Sequence, residues 1–330
     1  MKTLIIGGTG TISTETTRAL LEAGHEVVLF NRARRESPFA GKVRQITGDR
    51  GEADTFAARV RDAAPYDCVI DMICFTPQQA HASIAACKGQ TGHFIFCSTV
   101  DVYAKPPSRY PLTESEAYGP LSTYAERKVA CEKLFWAEHE AGTFRVTIIR
   151  PSHTYCDRSM LVHALGRRTS WMDRMRCGKP VIIHGDGTSL WTSARAEDVG
   201  PVFAAAAGNP ATFGKSYHAA AEEWLTWGQY YEKVAAALGG PPPEFVYVPA
   251  TTLARMFPDR CQRVSENFQY CNIYDNTAAK TDLGYRYTIP FADGARSTVR
   301  WLEEHGKIEP WQDDPEYDEI LGKLGGMVNG

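Results

Sequence analysis

Tyr124 and Lys128 stand four residues apart in Tyr124-Ala125-Glu126-Arg127-Lys128, which puts a phenol and an ammonium on one face of a helix. A free phenol ionises near pH 10, too high for a base at neutral pH. A nearby ammonium favours the phenolate, and a shift of about 3 units takes about 4 kcal/mol of differential interaction. The pair suits proton transfer at a hydroxyl-bearing carbon that is being oxidised or reduced. Alone, the Tyr-x-x-x-Lys spacing is common by chance. Upstream, Phe94-Ile95-Phe96-Cys97-Ser98-Thr99 reads as a buried strand ending in two adjacent hydroxyls. Strand carboxyl ends are where open α/β sheets hold ligands.

A second constellation opens the chain. Gly7-Gly8-Thr9-Gly10-Thr11-Ile12-Ser13 falls between an apolar run, Leu4–Ile6, and a helical stretch. Glycines there let the backbone turn tightly and approach a pyrophosphate, which meets amides at the helix N-terminus. Gly7, Gly10, Thr11 and Ile12 are the dinucleotide-binding candidates of this loop. Ser13 replaces the usual third glycine and is small enough for close helix–strand packing. The second strand ends in Phe30-Asn31-Arg32-Ala33-Arg34-Arg35, with no acid before Glu36. An acid would bind the ribose 2′-hydroxyl of NAD, whereas guanidinium groups suit a 2′-phosphate. Asn31 and Arg32 therefore favour NADP, with NAD left open and an ordinary solvated basic loop as the plain alternative.

These groups need a scaffold, and the first 150 residues supply its rhythm. Leu4–Ile6, Val27–Phe30, Val43–Ile46, Cys68–Met72, His93–Cys97 and Val146–Ile149 read as strands, near-continuous apolar runs expected of a parallel sheet covered on both faces. Thr14–Ala23, Ala53–Ala63, Pro77–Cys87 and Thr123–Glu140 read as the intervening helices. The alternation predicts a Rossmann-type α/β fold, a doubly wound parallel sheet with a smaller C-terminal substrate-binding lobe. The expected division is 1–152 plus about 195–220 for the nucleotide-binding domain, and 153–194 with 221–330 for the substrate lobe. Later helices are expected over Met160–Arg176, Glu197–Ala207, Thr226–Leu238 and Phe291–Glu304, a strand over Val181–Ile183, and a surface tail over Glu309–Asp318.

Bulk properties narrow the function classes. The 330 residues carry a net charge of −3, which offers no basic field for nucleic acid or anionic lipid. No apolar run approaches the roughly 20 residues that span a bilayer. Nine scattered cysteines without a Cys-x-x-Cys suit thiols buried in a reducing cytoplasm. His153-x-x-Cys156 with His163 nearby lacks a fourth ligand at sensible spacing, so no metal is expected. Trp224-Leu225-Thr226-Trp227 reads as core, and Arg167-Arg168 as a solvated helix face.

Taken together, the chain resembles the extended short-chain dehydrogenase/reductases of the NAD-dependent epimerase/dehydratase family. The resemblance rests on Gly7-Gly8-Thr9-Gly10, Ser98-Thr99-x-x-Val102-Tyr103 and Tyr124-x-x-x-Lys128, in family order and at family spacing. It continues through Arg150-Pro151, Ala196-Glu197-Asp198-Val199 and Asp275-Asn276-Thr277 to Leu283-Gly284-Tyr285, nearly the whole chain. It implies Thr99 as the hydroxyl on the reacting oxygen, Tyr124 as general acid/base, and Lys128 as ribose anchor and modifier of the phenol. It further implies Gly7, Gly10 and Ile12 at the pyrophosphate, Arg32 at the 2′-phosphate, and Asp49-Arg50 on the adenine side. The implied substrate is a sugar nucleotide, with Ser98, Asp101, Ser152, His153, Arg195 and Arg300 as its contact candidates. A homodimer is left open.

Two departures stand out. Ala104 follows Tyr103 where the family has glycine. Family dehydratases carry Asp-Glu after the hydroxyl that Thr99 represents, and this chain has Val100-Asp101. That ranks a sugar-nucleotide epimerase or ketoreductase above a dehydratase or decarboxylase using Asp101. Intact Thr99, Tyr124 and Lys128 rank a non-catalytic NADP sensor or RNA-associated scaffold lower still.

Overall fold

The structure, a computed structural model, describes residues 1–34, 37–159, 161–166 and 168–328. Arg35, Glu36, Met160 and Arg167, named above, lie outside the described residues. The chain divides into two compact units: Met1–Thr154 with Ala194–Glu222 and Tyr274–Thr288, and Tyr155–Ser193 with Glu223–Ile273 and Ile289–Gly330.

The first unit is built on β1 (Lys2–Ile6), β2 (Glu26–Asn31), β3 (Arg44–Thr47), β4 (Tyr66–Asp71), β5 (Thr91–Cys97), β6 (Arg145–Pro151) and β7 (Lys215–Ala219). They form one seven-stranded sheet in the order β7-β6-β5-β4-β1-β2-β3. Every neighbouring pair is parallel. The central strands are buried on both faces, which is why their sequences run apolar without alternation. Around the sheet lie α1 (Thr11–Glu22), α2 (Ala53–Asp62), α3 (Pro77–Cys87), α4 (Thr123–Glu140) and α5 (Ala196–Ala206). The order reverses between β1 and β4, so the carboxyl ends of β1, β4 and β5 border the crevice that doubly wound sheets use for ligands. Tyr274–Thr288, expected in the later lobe, belongs to this first unit. Ala279, Leu283 and Tyr285 bury against its core, and Asp282 takes hydrogen bonds from Lys215 and Tyr217 of β7.

The second unit is built around fully buried aromatics, among them Trp171, Trp227, Tyr230, Tyr231 and Tyr317. Trp227 is core as expected, while Trp224 is exposed. Two expectations are corrected. The stretch begun at Met160 turns helical only over Ser170–Arg176. Leu161, Ala164 and Leu165 are apolar because they line the aromatic core from irregular backbone that turns at Gly166, φ +95°. Residues 309–318 are not a surface tail either. A helix spans Pro315–Val328, and Tyr317, Ile320 and Leu324 bury in the same core. Asp314, fully buried, accepts from Ser170 and pairs with Arg168 and Arg260. Counting the acidic residues hid the apolar i, i+3, i+7 stripe.

Candidate active site

The loop after β1 takes left-handed backbone at Gly7, φ +118°, and Gly8, φ +94°. A Cβ on Gly7 would lie 3.3 Å from Met72 and Ile73, and one on Gly8 would lie 2.7 Å from Leu29. Only glycine keeps this cradle open. Gly10 caps α1, and its amide donates to Ser13 Oγ at 2.8 Å, so the serine in the third-glycine position fastens the loop to the first helical turn. Thr11 and Ile12 open α1, where amides have no acceptor within the helix and are suited to an anion.

Asn31 ends β2. Its Oδ1 accepts from Ala33 N at 2.8 Å, while its buried Nδ2 has no hydrogen-bond partner. Arg32 is exposed, with one guanidinium nitrogen 4.0 Å from the Asp49 carboxylate. The glycine cradle, the open helix end and the orphaned Asn31 amide together fit a bound dinucleotide. Arg50 behaves differently from its neighbour. Its guanidinium turns inward to Asp71 at 2.8 Å, and to Ser83 Oγ and Gln79 O at 3.0 Å each. The Arg50 side chain is therefore a buried tie between β4 and α3 and presents no guanidinium to a ligand.

β5 delivers Ser98 and Thr99 at its carboxyl end. Thr99 Oγ1 accepts from Asp101 N at 3.2 Å and caps a short 3-10 turn over Val100–Val102. Val100 is buried and Asp101 half-buried. Ala104 fits where a glycine is usual because Gly119 faces it; a Cβ on Gly119 would stand 2.6 Å from Ala104. α4 begins at the Ser122 cap, whose hydroxyl accepts from Ala125 N. Tyr124 in the first turn is 40% exposed, and Lys128 one turn on is 1% exposed. Lys128 Nζ donates to Cys97 O at 2.7 Å and lies 4.8, 4.9 and 5.9 Å from the ring centres of Phe96, Phe75 and Tyr124. Burial pushes the adjacent Cys97 thiol up to about 11, with the ammonium pulling the other way. That cysteine stays a neutral core thiol.

The sequence reading missed Glu132, although it continues the Tyr124–Lys128 face at i+8. Fully buried, it accepts from Ser98 Oγ, from Tyr118 Oη at 2.6 Å, and from Arg150 through Nε at 3.0 Å and NH2 at 2.6 Å. Arg150 also reaches Tyr103 Oη at 2.8 Å. His218 donates from Nδ1 to Asp275 O, so its Nε2 accepts the Tyr103 hydroxyl at 2.6 Å. Burial lowers the His218 pKa and raises that of Tyr103. The network links β5, β6, β7 and α4 beneath the Ser98–Thr99 segment.

The remaining candidates separate. Ser152 Oγ, just past β6, is buried without a partner, and His153 is half-buried. Arg195 forks onto Glu197. Arg300 belongs to the second unit, on the exposed face of the helix Phe291–Glu304. Among the described residues no three His, Cys, Asp or Glu side chains gather for a metal, and no helix is long and apolar enough to cross a membrane.

The family model for the NAD dependent epimerase/dehydratase family matches residues 3–220. The chain belongs to that enzyme family. It is 30% identical over 275 residues to the 2′-dehydrokanamycin reductase of Streptomyces kanamyceticus, covering 83% of this chain and 77% of the relative. It is 25% identical over 340 residues to the chloroplast stem-loop binding protein of 41 kDa b of Arabidopsis thaliana, covering 98% and 84%. Among solved structures, the UDP-glucuronic acid 4-epimerase of Bacillus cereus, in complex with UDP-glucuronic acid and NAD, superposes with a TM-score of 0.73. That match is 19% identical and covers 92% of this chain and 100% of the other, a likeness of fold.

Proposed function

We propose that the chain is an NADP-dependent ketoreductase or epimerase acting on a sugar, with a sugar nucleotide as the substrate class. Lys128 carries this reading: its Nζ holds the carbonyl of Cys97 beside Thr99 while lying 5.9 Å from the Tyr124 ring on its own helix. The nicotinamide, when bound, gives or takes the hydride at the substrate carbon. Tyr124 gives or takes the hydroxyl proton, Lys128 supports the phenolate by charge, and Thr99 hydrogen-bonds the oxygen as it passes between alcohol and carbonyl. Val100, buried beside Thr99, brings no proton donor for expelling a neighbouring hydroxyl. The similarity to a 2′-dehydrokanamycin reductase supports ketone reduction over elimination.

The test is a panel of sugar nucleotides and of keto sugars without a nucleotide, read by cofactor absorbance and product mass. Mass-neutral isomerisation or gain of two hydrogens is expected. A 4-keto-6-deoxy sugar as main product would show that Asp101 suffices for elimination and overturn the ranking. The likeness to a stem-loop binding protein favours a second, RNA-associated reading. RNA binding with no turnover across the panel would install it.

For the cofactor, Arg32 is the candidate partner of a 2′-phosphate. Its exposed contact with Asp49 is worth little and leaves the guanidinium available. Losing a charge-assisted contact costs about 1.5–3 kcal/mol, so Arg32→Ala should weaken NADPH by roughly 10- to 100-fold and leave NADH nearly unchanged. Fluorescence titration of both checks this, and equal affinities in the parent protein would refute the NADP assignment.

A further inference from the structure

Glu132 and Arg150 are buried charges that take no part in the proton transfer proposed above. Desolvation makes such a pair a poor source of stability, and a well-packed apolar replacement is often no worse. What the pair touches suggests another use. Both carboxylate oxygens of Glu132 are occupied, one by Ser98 Oγ and Arg150 Nε, the other by Tyr118 Oη and Arg150 NH2. The Ser98 hydroxyl proton is thereby committed to Glu132 and is not available for donation to a substrate.

Lys128 and Glu132 are one turn apart on α4 and hold consecutive residues at the end of β5, the Cys97 carbonyl and the Ser98 hydroxyl. Val129, Cys131 and Phe135 already seat α4 in the core through apolar contacts, which limit rolling without fixing its angle closely. Two contacts a turn apart fix that roll, and with it the direction in which Tyr124 leaves the helix. The same two contacts fix the backbone entering Thr99. We infer that Glu132, braced by Arg150 and acting through Ser98, is a positioning residue that sets Tyr124 and Thr99 relative to each other, an inference that rests on the function proposed above.

Ser98→Ala tests it with little risk to folding, because Glu132 keeps its fork with Arg150. Misplacing reacting groups by an ångström can cost up to about 100-fold, so a partial loosening should lower kcat on the order of 10-fold, with KM and NADPH affinity within about twofold. Amide hydrogen exchange should quicken over residues 97–103 and the first turns of α4, and not in the rest of the sheet. Glu132→Gln should act in the same direction, the double variant should be no worse than the worse single one, and Ser98→Thr should restore the rate. A rise in KM at unchanged kcat would make Ser98 a substrate ligand and overturn the inference. Unchanged or sheet-wide exchange would overturn it too. If no compound of the panel turns over, the proposed function fails, while the exchange pattern of Ser98→Ala still decides whether the clamp exists.

Discussion

Tyr124→Phe should lose turnover by about 10²- to 10⁴-fold while its affinity for NADPH stays within about twofold. The substitution removes one oxygen from a side chain already 40% exposed at the start of α4, so neither packing nor the Ser122 cap is disturbed. Lys128 keeps its bond to Cys97 O and its place beside the ring at position 124. The loss therefore falls on proton transfer. Stopped-flow cofactor oxidation with the best substrate of the panel, beside a fluorescence titration of NADPH, separates the two effects. Full activity in the variant would remove Tyr124 from the chemistry.

Lowering the pH from 7 to 5 should cost about 4 kcal/mol of folding stability through His163 and His184 alone. Burial pushes His163 down to about 3, with Arg260 adding to the effect, and burial pushes His184 down to about 4. Both lie below the value near 6.5 expected in the unfolded chain. The sign follows: the unfolded chain binds more protons below pH 6.5, so stability is present above that pH and falls as acid is added, by about 1.4 kcal/mol per pH unit for each histidine. Hydrogen bonding shows why neither ring accepts a second proton. His163 Nδ1 accepts from Leu165 N at 3.0 Å, and a proton there would face another donor. His184 donates from Nε2 to Phe268 O, and its buried Nδ1 has no partner to receive an N–H. Urea denaturation at pH 7 and pH 5 measures the loss. Stability that does not change over this window would contradict the buried neutral state, and His184→Asn should flatten the slope.

Much of the fold was legible because the sheet writes itself plainly. The central strands β1, β2, β4, β5 and β6 are largely buried apolar runs, and apart from the exposed edge strand β3, which follows β2 without a helix, they alternate with helices. β7 escaped notice because Lys-Ser-Tyr-His-Ala has no apolar run; it becomes a strand by pairing beside β6. Within the site, spacing identified the Tyr124–Lys128 face. It did not extend that face to Glu132, since a glutamate in a helix ordinarily faces water, and the partners that make its burial tolerable, Arg150 together with Ser98 and Tyr118, come from elsewhere in the chain. For the same reason Arg50 looked like its exposed neighbour Asp49, and the inward turn toward Asp71 was invisible without the fold.

The make-up of the first unit from three stretches of chain has a consequence for synthesis on the ribosome. When Thr154 has emerged, six of the seven strands exist, but β6 still presents an unpaired edge because β7 has not been made. The α1 face that receives α5, where Thr16 Oγ1 meets Gly200 O at 3.3 Å, is likewise bare. Closure waits for Ala194–Glu222 and then for Tyr274–Thr288, contacts of long sequence separation that form slowly. Through that interval the nascent chain offers an open strand edge to any neighbouring chain. A translational pause after Thr154 lengthens the exposure, and a fragment cut there carries the dinucleotide loop without the strand and helix that close the sheet around it.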